Sequence, residues 1–98
     1  MIRRRHCRES NQVEVTFVLP PDYPHLPVAV VGDFNHWNPQ ANPLQRSSSG
    51  NYSTTLFLEA GRRYAFRYLS GNGRWLNEGF ADAFEANGFG TDNSVLIT

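Results

Sequence analysis

Residues 13 to 19, VEVTFVL, set Val13, Val15, Phe17 and Leu19 on one side and Glu14 and Thr16 on the other. A period of two belongs to a half-buried strand, because successive side chains leave a pleated backbone on opposite faces. The alternation returns in NYSTTLFL, where Tyr52, Thr54, Leu56 and Leu58 oppose Ser53, Thr55 and Phe57. It returns again in RRYAFRYL, where Tyr64, Phe66 and Tyr68 oppose Arg63, Ala65 and Arg67. No segment sustains a 3.6-residue period, so the chain must bury its apolar side chains by pairing sheets.

The segments between complete the pattern. Pro20, Pro21, Pro24 and Pro27 forbid helix and central strand and mark a loop. PVAVVGDF is a short β-rich run ending at Gly32, and residues 35 to 49 form a polar crossing to the next strand. SGNG, residues 70 to 73, is a hairpin turn and RWLN its returning strand. Residues 79 to 90 form a longer connection in which ADAFEA is expected to hold one helical turn, and NSVLIT is the last strand. Six or seven strands at intervals of roughly 8 to 15 residues predict an all-β chain. The expected architecture is an antiparallel β-sandwich with immunoglobulin-like topology and about seven strands. Cys7, the single cysteine, excludes the disulfide-linked form of that fold.

At 98 residues the chain suits one domain. Residues 1–11 are expected to be a flexible arginine-rich tail and residues 12–98 the sandwich. Nine arginines balance nine acidic residues and lysine is absent, so no net field favours nucleic acid or an anionic membrane. Arg3, Arg4, Arg5 and Arg8 without a basic domain behind them read as a solvated tail. The longest apolar run, Val28 to Val31, is far too short to span a membrane, and the N-terminus lacks a secretory signal. The expectation is a soluble cytoplasmic protein.

Catalytic chemistry has no foothold in the residue pattern. The acidic residues scatter over turns and ends and no two form a recognisable glycosidase pair. No G-x-S-x-G elbow is present. His6, His25 and His36 lack metal-ligand spacing, so neither a metal nor a cofactor is expected. What stands out is aromatic and amide residues where a core does not need them. In GDFNHWNP, residues 32 to 39, Trp37 sits in a polar turn, and Trp75 is likewise flanked by turn residues and asparagine. A tryptophan ring is a large flat platform for the C–H face of a sugar, and planar amides suit its hydroxyls. Phe17, Phe34, Tyr64 and Phe66 are expected in the core and the two tryptophans outside it.

VVGDFNHWNP, then GNYSTTLFLEAGRRYAFRYL, a glycine hairpin with RW, and FGTDNSVLIT together resemble carbohydrate-binding module family 48. That family comprises early-set β-sandwiches found at the N-terminus of α-amylase-clan branching and debranching enzymes and in the β subunit of AMP-activated protein kinase. The resemblance covers residues 12 to 98. It implies that Trp37 and Trp75 are sugar-stacking platforms, that Asn93 bonds glucose hydroxyls with Thr91 beside it, and that Phe89 stands where kinase-type members insert a leucine into a glucan ring. A sugar-binding lysine of the family is replaced by Ala65, and Arg67, two residues on and on the same face, is positioned to supply that charge. The implied function is non-catalytic binding of an α-1,4-linked glucan or maltooligosaccharide, in glycogen or starch. A glucan-metabolising enzyme in trans is the implied protein partner. The chain ends with its last strand, so a stand-alone module and one excised from a larger enzyme both remain open. The other function class left standing is a protein-interaction or oligomerisation module of the same fold that has lost the sugar site.

Overall fold

A computed structural model describes residues 1–98. Nine strands form two antiparallel sheets with no α-helix. In chain order they are β1 (Ile2–Cys7), β2 (Gln12–Leu19), β3 (Val28–Gly32), β4 (Gln45–Arg46), β5 (Tyr52–Glu59), β6 (Arg63–Ser70), β7 (Trp75–Leu76), β8 (Ala83–Ala86) and β9 (Asp92–Ile97). One sheet has the order β1-β2-β5-β4 and the other β3-β6-β9-β8, with β7 pairing β6. This is the immunoglobulin-like sandwich that the alternation predicts, in the early-set form that the resemblance implies, with nine strands in place of about seven.

The additional strands arise where side-chain pattern is silent. Ile2–Cys7 is no free tail: it pairs along its whole length with β2, from Ile2 opposite Phe17 to Cys7 opposite Gln12. Arg4 then reaches to Asp82, just ahead of β8 in the other sheet, its Nη2 donating at 2.8 Å to each carboxylate oxygen. The arginines of an edge strand stay in water while their backbone completes the ladder, and charge on an edge strand also discourages pairing with other chains. The stretch ADAFEA is extended, not helical: Ala83–Ala86 pairs with Asp92–Val95. Gln45–Arg46 adds a two-residue edge to β5 inside the polar crossing.

The core is made by the inward halves of the alternating strands. Val13, Val15, Phe17 and Leu19 from β2 meet Val28 and Val30 from β3, Phe66 and Tyr68 from β6 and Leu96 from β9. Phe17 stands edge-on to Phe66 at 5.3 Å between ring centroids, and Phe66 edge-on to Tyr68 at 6.0 Å, an arrangement that adds to simple burial. Phe34 and Tyr64 are half-buried and pack against this cluster. The Tyr68 hydroxyl donates to Glu78 at 2.9 Å, and Glu78 also accepts the Phe80 N–H at 2.8 Å, so this buried carboxylate is well bonded. Burial, and then the neighbouring Glu78 charge, push the Tyr68 hydroxyl well above the usual tyrosine range.

The register of β6 also fixes its outer face. Ala65 lies opposite Val95, Val31 opposite Arg67, and Trp75 opposite Leu69. Directly opposed residues point to the same side of a sheet. Continuing the β6–β9 register sets Asn93 beside Arg67. Tryptophan, arginine and asparagine thus share one face because of odd-numbered positions on β6. Val31, Ala65 and Val95 are buried on this outer face too, outside the main core.

Candidate functional site

The turn that presents Trp37 is built from backbone constraints at its two ends. Gly32 closes β3 in an extended conformation at φ −169°, so conformational freedom does not explain the glycine. Space does: a Cβ there would lie 2.5 Å from the Ala65 carbonyl oxygen and 2.6 Å from Phe66 Cβ. Asp33–Asn35 then form a 3₁₀ turn. Asn35 locks it, accepting the Gly32 N–H at 3.0 Å and donating to the Val30 carbonyl at 3.0 Å and to Asn42 at 2.9 Å. His36 and Trp37 both adopt left-handed backbone, φ 57°. A bulky ring at positive φ is unfavourable by roughly 1–2 kcal/mol. The Trp37 N–H bond to the Gly32 carbonyl at 2.9 Å and the indole N–H bond to Asp33 at 2.9 Å hold it there. His36 is exposed and makes no side-chain hydrogen bond.

Trp75 enters from β7, just after the SGNG turn. Gly73 has φ 84°, and Ser70 receives the Gly73 N–H on its carbonyl and the Arg74 N–H on its hydroxyl. The two indoles meet at 6.5 Å between ring centroids, with their planes 55° apart. They form two walls of a groove of about 850 Å³. Its other lining residues are Asp33, Ala65, Arg67, Asn87, Phe89, Thr91 and Asn93. All six residues expected from the sequence, Trp37, Trp75, Asn93, Thr91, Phe89 and Arg67, are therefore gathered in one concavity.

The β8–β9 hairpin supplies the third wall. Asn87, which no sequence motif singles out, ties this hairpin together: its amide donates to Thr91 Oγ1 at 2.8 Å and to Asn93 Oδ1 at 3.3 Å, and its oxygen accepts the Phe89 N–H at 2.9 Å. Gly88 and Gly90 flank Phe89 at φ 83° and 80°, so the ring projects from the tip and is 89% exposed. A phenylalanine that uncovered makes no contribution to a core, and it rims the groove. Asn93 Oδ1 accepts from Asn87, and the Asn93 NH₂ has no hydrogen-bond partner within the chain. Arg67 belongs to no ion pair, its Nη1 makes only a long 3.4 Å contact with Thr91, and its buried Nε has no acceptor. The groove is rich in donors and bounded by aromatic faces, a composition suited to a neutral, hydroxyl-bearing ligand. No group of three His, Cys, Asp or Glu side chains stands close enough to hold a metal ion, and no helix is long and apolar enough to cross a membrane.

Asp33 also lies outside the expected set. Its signal was present inside GDFNHW, four residues before the tryptophan it holds, but a carboxylate in a turn reads as a solvated turn residue. Asn87 precedes a glycine, a turn signal that the expected helical turn obscured.

Comparison with known proteins places the chain in a family. The family model of carbohydrate-binding module 48 (isoamylase N-terminal domain) matches residues 27–84, more than half the chain. A 1,4-alpha-glucan branching enzyme GlgB 2 of Xanthomonas campestris pv. campestris (strain 8004) is 42% identical over 74 residues, 74% of this chain and 10% of that enzyme. An amylopullulanase of Thermoanaerobacter thermohydrosulfuricus is 39% identical over 64 residues, 61% of this chain and 4% of that enzyme. The chain thus spans a tenth or less of the length of these relatives, and the shared part is a binding module rather than catalytic machinery. A nine-stranded sandwich with two tryptophans meeting over its β6 face, matched by the family model across its middle, belongs to the carbohydrate-binding module 48 family.

Proposed function

We propose that the groove binds an α-1,4-linked glucan of the glycogen or starch type. The observation that carries this reading is the 55° angle between Trp37 and Trp75 at 6.5 Å. Two coplanar platforms would suit a flat, extended chain, whereas two inclined platforms suit consecutive glucose units turned about a helical chain, as α-1,4 linkage turns them. Asn93, Thr91 and Arg67 then supply donors to the hydroxyl rim, and Phe89 covers an outer apolar face. Ala65 leaves the floor small and apolar, and Arg67 is the remaining cation of the groove. The module holds glucan for a larger branching or debranching enzyme, in the same chain or in trans, and a cytoplasmic setting fits such a task.

An open groove of this kind gives micromolar to millimolar affinity, about 4–8 kcal/mol. Titration with maltoheptaose or β-cyclodextrin, followed by tryptophan fluorescence, tests it. Saturation in the wild type and its loss in Trp37→Ala are expected; no response at millimolar sugar, or the same response in Trp37→Ala, overturns the reading.

A second reading rests on a different surface. Phe80 and Phe84 are 76% and 50% exposed on the β8 side of the sandwich, away from the groove lining. Those rings suit contact with a partner protein, the role of a module of this fold that has lost the sugar site. Loss of sugar binding without loss of a protein partner would favour it.

A further inference from the structure

Asp33 lines the groove, yet both of its carboxylate oxygens are already engaged. Oδ1 accepts the indole N–H of Trp37 at 2.9 Å, and Oδ2 accepts the backbone N–H of Ala65 at 2.8 Å. The second bond lies where the β3–β6 ladder has run out, its last rung being Gly32 opposite Phe66. The carboxylate acts as one more rung, tying the turn to β6 and the Trp37 ring to both. Trp37 has left-handed backbone and only partial burial. Packing alone leaves its ring angle weakly determined, and a residue at such a φ persists where its surroundings over-determine it. A charged acceptor is the strongest available restraint on an indole N–H.

We infer that Asp33 is a positioning residue: it fixes the angle of the Trp37 platform against Trp75 and does not itself ligate sugar. This rests on the glucan reading for its functional consequence, but the restraint on the ring is independent of it. A carboxylate is required because two N–H donors converge on it. Asparagine has the same shape but one acceptor oxygen, so its NH₂ faces one of the two donors and a bond is lost.

The test is a double-mutant cycle of Asp33→Asn with Trp37→Phe, the latter keeping an aromatic ring without an N–H. Maltoheptaose affinity is measured by calorimetry, and exchange of the Trp37 indole proton with solvent by ¹⁵N NMR. Asp33→Asn is expected to weaken maltoheptaose about ten-fold, or about 1.4 kcal/mol, and to accelerate indole exchange. In the Trp37→Phe background the same change is expected to alter affinity less than about two-fold, because the bonded donor is already gone. Equal loss in both backgrounds, or an indole proton in the wild type that exchanges as fast as free indole, overturns the inference. If the wild type does not bind maltoheptaose at all, the glucan reading fails, and indole exchange in Asp33→Asn still decides whether Asp33 restrains the ring. Should Asp33→Asn fail to fold, Asp33→Glu keeps both acceptors but displaces them, and the same direction of change is expected.

Discussion

Gly32→Ala probes the joint between fold and groove. The backbone there is extended at φ −169°, which alanine adopts freely, so the substitution isolates steric contact from conformational strain. The added Cβ would sit 2.5 Å from the Ala65 carbonyl oxygen, 2.6 Å from Phe66 Cβ and 3.0 Å from Phe66 Cα. None of these can swing aside, since they are the backbone and first side-chain atom of β6, a strand paired on both sides. Gly32 must move instead, opening the last β3–β6 rung and the bond from its N–H to Asn35. Overpacking of this kind is unfavourable by about 1–3 kcal/mol, and the lost hydrogen bonding adds about 1 kcal/mol. Reduced freedom of the unfolded chain returns about 0.4–1 kcal/mol. The net is a destabilisation of about 2 kcal/mol, which for a domain near 100 residues lowers Tm by roughly 8–16 °C. Thermal unfolding followed by circular dichroism measures it. Because Asp33 and Trp37 hang from Gly32, maltoheptaose binding should weaken as well, at temperatures where the variant is fully folded. A Tm within about 2 °C of the wild type would refute the close-approach account of this glycine.

Three further outcomes follow from the same geometry. Phe89→Ala removes a ring that is 89% exposed, so Tm should change by no more than the equivalent of about 0.5 kcal/mol while maltoheptaose affinity falls. Tyr68→Phe deletes a buried bond to Glu78 and should lower stability by about 1–2 kcal/mol. Folding holds the Tyr68 proton more tightly than the unfolded chain does, and stability linked to a raised pKa is full below the unfolded value and lost as pH rises above it. Wild-type Tm should therefore decline above about pH 10, and Tyr68→Phe should show a shallower decline. Finally, backbone amides of β1 facing β2 should be protected in hydrogen exchange; exchange at the free-chain rate would mean that residues 2–7 do not form the edge strand.

The parts of the fold legible in the sequence were those in which burial imposes a pattern. β2 and β6 each put one face into the core and one outside, and their alternation reads directly as strand and face. From β6 alone, the odd positions 65 and 67 could be set on the outer face. β1 was not legible because its pairing is backbone-to-backbone and its arginines face water, so no apolar period records it. β8 was not legible because AFEA lies at a sheet edge where neither face is fully buried, and alanine and glutamate favour helix when local propensity alone speaks. In the groove, the exposed aromatics were legible since rings in polar turns conflict with burial. Asp33 and Asn87 act through hydrogen bonds to a neighbour's ring or backbone, and which donors converge on a side chain is decided by the folded turn, not by residue type.

Under the proposed function, Trp37, Trp75, Asn93 and their neighbours form one α-glucan site. Its most direct measurement is ¹H–¹⁵N NMR of the labelled protein titrated with maltoheptaose and, separately, with cellohexaose. Maltoheptaose is expected to shift both indole N–H signals and the Asn93 side-chain amide together with one binding constant, and cellohexaose to leave them in place. Unchanged indole signals at millimolar maltoheptaose, shifts confined to another surface, or an equal response to the β-linked chain would contradict it.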